Sequence, residues 1–106
     1  MKRENQTMKR ALMVLAWVAW THSTFPAKDL EEWTPGGAAE TLEECRQATV
    51  VAATDSLRQL RAQSNRGTVF TQAGAGIEMK FASGDTATLV YVCLPENIDP
   101  RGPKGK

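Results

Sequence analysis

Residues 41–63 read Thr41-Leu-Glu-Glu-Cys45-Arg-Gln-Ala-Thr-Val50-Val-Ala-Ala-Thr-Asp55-Ser-Leu-Arg-Gln-Leu60-Arg-Ala-Gln63. Thr41 with Glu44 three places on is a capping box, in which hydroxyl and carboxylate each take an orphan N–H of a helix start. Leu42, Cys45, Thr49, Ala52, Ala53, Ser56 and Leu60 then recur at steps of three and four, one stripe of a helix. Glu43 and Glu44 suit the positive end of the helix dipole, and Arg58 and Arg61 the negative end. Asn65 and Gly67 can terminate it. The pattern predicts a helix over 42–63. Its inner face is made of small residues that let it approach a sheet closely. Cys45 lies on that face, and Glu43, Gln47, Arg58 and Arg61 lie outside.

Downstream the period changes to two. Gly67–Gln72 reads as a short strand and Ala73–Gly76 as a turn. Ile77, Met79 and Phe81 alternate with Glu78, Lys80 and Ala82 in a strand with one buried face. Ser83-Gly84-Asp85 is a second turn, and Thr86–Leu94 is the most apolar strand. Short turns between successive strands predict an antiparallel meander. On the last strand Ala87, Leu89, Tyr91 and Cys93 share one face. Val90, Val92 and Leu94 look the other way and need a cover from the leader, the tail or a partner. The expected fold is α+β, one helix on a three-stranded antiparallel meander within residues 38–94. Residues 95–106 carry Pro95, Pro100 and Pro103 and are expected to form an extended, flexible tail.

Upstream, Lys2, Arg3, Lys9 and Arg10 precede the apolar run Ala11-Leu-Met-Val-Leu-Ala-Trp-Val-Ala-Trp20, which gives way to Thr21-His-Ser-Thr24. Basic, apolar and small-polar in that order is the layout of a secretory signal peptide. Residues 1–23 are expected to be that signal, with cleavage near 23–27. Met8 is a second possible start. An uncleaved anchor and a buried core helix are the other readings, but a spanning helix needs roughly 20 apolar residues. Residues 24–37, with Pro26, Pro35, Gly36 and Gly37, read as a leader into the domain. Trp33 in that leader is expected to lie on the surface or to plug one end of the core.

The whole chain has 106 residues and a formal charge of +1, and its first ten residues carry +3 of it. The remainder is mildly acidic, which gives no footprint for nucleic acid and none for an anionic membrane surface. Membrane contact is expected only during export or through an uncleaved signal. Cys45 and Cys93 are the two cysteines. In an exported chain an even count reads as a bridge, and in the cytosol two thiols would be the better reading.

No catalytic or metal-binding signature emerges. The one histidine, His22, would leave with the signal, which removes Ser–His and Cys–His nucleophile pairs and the common zinc sets. Glu43 and Glu44 are helix-start residues and do not face each other. Asp29, Glu31 and Glu32 lack the spacing of a calcium loop. Gly74-Ala-Gly76-Ile opens a strand and not a helix, so it is a hairpin turn and not a phosphate loop.

The segment Tyr91-Val-Cys93-Leu-Pro-Glu-Asn-Ile-Asp99-Pro-Arg-Gly-Pro-Lys104 resembles the ending of small exported alphaproteobacterial proteins of unassigned function. A Trp followed by a Cys near a helix start, here Trp33 and Glu44-Cys45, is similar as well. The resemblance implies export and a Cys45–Cys93 pairing, and no activity. The expected function is therefore that of a small exported envelope protein, periplasmic or extracellular. It would be a non-enzymatic binding or accessory module needing no cofactor. Its partner would be a protein, glycan or lipid of the envelope, met through Val90, Val92, Leu94 and Trp33. The alternative is a small secreted enzyme or toxin with a site built from Tyr91, Asp85 and the glutamates.

Overall fold

A computed structural model describes residues 16–64 and 67–102. Their elements are β1 (Trp17–Phe25), a 3-10 turn (Pro26–Lys28), β2 (Leu30–Ala39), α1 (Leu42–Gln63), β3 (Val69–Ala73), β4 (Gly76–Lys80) and β5 (Thr86–Pro95). The class is α+β, but the sheet has five strands and not three, in the order β2-β1-β5-β4-β3 with every neighbour antiparallel.

The helix runs over the residues its pattern predicts. Thr41 sits in extended backbone, and its Oγ1 accepts from the Glu44 N–H at 3.0 Å. Cys45, Thr49, Ala53 and Leu57 are its buried residues, while Glu43, Gln47, Arg58 and Arg61 are exposed. Leu57 joins the buried line although the three-and-four stripe passes over it. Ala53 and Leu57 meet Ile77 of β4, with Leu60, Phe70, Met79, Leu89 and Tyr91 packed around them. Thr41→Ala should lower stability by about 1 kcal/mol and the thermal midpoint by roughly 4–8 °C. Thermal unfolding followed by circular dichroism measures it.

The two added strands correct the reading of residues 17–37. Trp17–Ser23, assigned to a signal, form most of β1, which lies between β2 and β5. The supposed leader completes β1, turns through Pro26–Lys28 and forms most of β2. Residues 1–15, with the basic stretch and the first half of the apolar run, lie outside the described residues. β2 tolerates Pro35 because it is a sheet edge, where a lost backbone donor breaks no ladder on the open side. Gly36 and Gly37 fall at a register shift between Val18 and Trp20. A Cβ on Gly36 would stand 2.8 Å from the Ala19 carbonyl oxygen, so this close passage needs glycine.

The C-terminal segment is also not simply extended. Ile98 N–H donates to Pro95 O at 2.9 Å and Gly102 N–H to Asp99 O at 3.1 Å, closing two consecutive turns. Asp99-Pro100-Arg101-Gly102 has the residue order that a type I turn favours, and Asp99 Oδ1 accepts from the Arg101 backbone N–H at 2.9 Å. Residues 103–106 lie outside the described part.

Candidate binding face

The disulfide fixes which side of the sheet is which. Cys45 of α1 is bonded to Cys93 of β5, with Cα atoms 6.2 Å apart. Two residues earlier on β5, the Tyr91 hydroxyl meets Ser56 Oγ of α1 at 2.7 Å. The odd-numbered residues of β5 therefore face the helix. Val90, Val92 and Leu94 face outward, as alternation requires. The β1 register places Trp20 opposite Val92, His22 opposite Val90 and Val18 opposite Leu94. The β2 register adds Trp33 opposite His22 and Pro35 opposite Trp20. Directly paired residues share a face, so all four expected contact residues, Val90, Val92, Leu94 and Trp33, stand on one outer face.

Three residues that sequence reasoning passed over organise that face. His22 is stacked on Trp33 with ring centroids 3.9 Å apart and planes 10° from parallel. Its Nε2 is 2.7 Å from Glu31 Oε2, two pairs further along β2. Arg101, carried back by the C-terminal turns, lies with its guanidinium 5.1 Å from the centre of the Trp20 ring. Arg101 Nε and Nη2 also donate to the two Asp99 carboxylate oxygens at 2.9 and 2.8 Å. Those hydrogen bonds hold the Arg101 pKa above its ordinary value. Trp20 is only 5% exposed. Its indole Nε1 is buried and, among the described residues, has no hydrogen-bond partner. The tail thus covers Trp20, the partner of Val92, while Val90, Val92 and Leu94 remain partly exposed.

Where Pro100 and Arg101 approach β2, an open cleft of about 470 Å³ lies between them and Glu31, Glu32 and Trp33. Trp33 lies on the surface, partly exposed and stacked on His22, and does not plug the core. The sequence does not join His22 to Glu31, because the apolar run before His22 has the look of a removable signal. The turn signature Asp99-Pro-Arg-Gly102 could have pointed to the tail's return.

The residues of the alternative catalytic site do not converge. Tyr91 bonds to Ser56 beneath the helix, whereas Asp85 lies in the β4–β5 turn, about 20 Å away along an extended strand. Gly74, with φ of 59°, belongs to the β3–β4 hairpin. Among the described residues no group of three His, Cys, Asp or Glu side chains could hold a metal ion. No helix among them is long and apolar enough to cross a membrane. The chain matches no family model, no curated protein and no solved structure.

Proposed function

We propose that this chain is a small exported envelope protein that works as a non-enzymatic binding or accessory module through the outer face of its sheet. The observation that carries the reading is the gathering of Trp33, His22, Val90, Val92 and Leu94 on one partly exposed face. Partly exposed aromatic and aliphatic side chains clustered on one face are a common mark of a contact surface. The helix covers the opposite face and closes it with the Cys45–Cys93 bridge, a bond that persists in oxidising compartments.

The fold restricts how such a protein could be processed. A cut near 23–27 would remove nearly all of β1, so a processed form that keeps its sheet begins no later than Trp17. Cell fractionation, N-terminal sequencing and thiol alkylation test the proposal together. Protein recovered from the periplasm or medium should carry no alkylatable thiol and should retain Trp17. Full-length, fully reduced protein confined to the cytosol would sink the envelope reading.

A further inference from the structure

We propose that the cleft between Trp33 and Arg101 is a binding site for a neutral saccharide. This deepens the binding-module reading by naming a ligand class for one edge of the same face. The cleft joins an indole, a guanidinium and two carboxylates within about 470 Å³, inside the usual range of small-ligand pockets. Sugars are recognised by stacking the C–H face of a ring on an aromatic side chain. Their hydroxyls are taken by planar charged groups that bond in pairs.

Both halves of that chemistry are held in place by residues behind the cleft. His22 braces one face of Trp33 at 3.9 Å, and Glu31 in turn holds His22 at 2.7 Å. Arg101 is fixed by its two bonds to Asp99 and by the Trp20 ring. Groups fixed before binding lose little freedom when a ligand arrives, which raises affinity for a weakly held polar molecule.

Charge narrows the class further. Glu31 and Glu32 disfavour phosphates and other anions, and the charge of Arg101 is already balanced by Asp99. A neutral molecule rich in hydroxyls can bond to both signs at once.

The test is a titration of the purified full chain with tri-N-acetylchitotriose, cellotriose and maltotriose. Trp33 is followed through its indole N–H in proton–nitrogen correlation spectra. The expected result is a saturable shift of the Trp33 signal with at least one trisaccharide in the millimolar range, while the Trp17 signal stays fixed. The amino sugar against the two glucans separates a cell-wall type of ligand from a storage or plant type. Trp33→Ala should abolish the binding with the thermal midpoint retained. Should that variant lose its midpoint, Arg101→Ala serves instead. It removes a side chain that is 47% exposed and should weaken binding about tenfold.

No saturable shift with any of the three sugars overturns the proposal. So does binding that survives both replacements, or saturation by inorganic phosphate or tetramethylammonium where the sugars fail. Such failures would remove the ligand class alone, whereas a cytosolic, reduced protein would remove the envelope reading.

Discussion

A chain that begins at Thr24 should lose most of its stability and aggregate. What remains is not trivial: α1, β3, β4 and β5 hold the whole apolar cluster around Ala53, Leu57 and Ile77, together with the disulfide. The losses are larger. β2 pairs only with β1, so ten more residues detach from the sheet along with the seven deleted from β1. Trp20 goes with them, and removal of a buried tryptophan alone costs about 3–5 kcal/mol. A domain of this size has roughly 5–15 kcal/mol in total. β5, whose sequence is Thr86-Ala-Thr-Leu-Val-Tyr-Val-Cys-Leu-Pro95, becomes a bare edge without a charged residue. Such edges recruit other chains. Urea unfolding and size-exclusion chromatography of the shortened chain decide the matter. A monomer that unfolds cooperatively at the wild-type midpoint would show that β1 lies outside the fold.

Replacing Cys45 and Cys93 with alanine should cost about 4 kcal/mol. The bridge spans 48 residues, and loop-closure entropy for a loop of that length gives this figure. The position of the bond adds to its effect. Cys45 stands in the first turn of α1 and Cys93 two residues before the end of β5, so the bond ties the start of the helix to a central strand. Beneath that half of α1 the contact is thin. Ala48 and Ala52 of α1 and Ala19 and Ala38 of the strands line a hollow of about 220 Å³. The main apolar cluster lies further along the helix, from Ala53 onward. The N-terminal half of α1 is therefore held by a covalent bond where side-chain volume is lacking. Comparison of urea midpoints for the double variant and the parent measures the loss. A change below about 1 kcal/mol would mean that packing alone holds the helix.

What could be read from the sequence divides along a physical line. Local rules sufficed for α1, because Thr41, Glu44 and the apolar stripe are all set by neighbours within four residues. The parity of β5 was equally readable, and with it the outward direction of Val90, Val92 and Leu94. β1 is not, because nothing local separates its apolar half from the apolar part of a signal. Trp17-Val-Ala-Trp20 behind a basic stretch has the same look as the apolar part of a signal. β2 was missed because Pro35, Gly36 and Gly37 resemble a linker, and only its place at the sheet edge makes them acceptable. The joining of His22, Trp33, Glu31 and Arg101 depends on the β1–β2 register and on the tail's return. Neither follows from periodicity.

The centre of this sheet is formed by the first and last strands of the described chain. Trp17 pairs with Pro95 and Thr24 with Thr88. The β1–β2 hairpin can form early, yet β1 keeps an open side until the final strand has been synthesised. Contacts so distant in sequence slow folding. During synthesis or passage through a membrane pore, β1 would be exposed for almost the whole transit. The sheet closes only when β5 arrives, and the chain stays threadable until then. The same delay leaves Trp17, Val18 and Trp20 open to any chaperone that recognises short apolar segments.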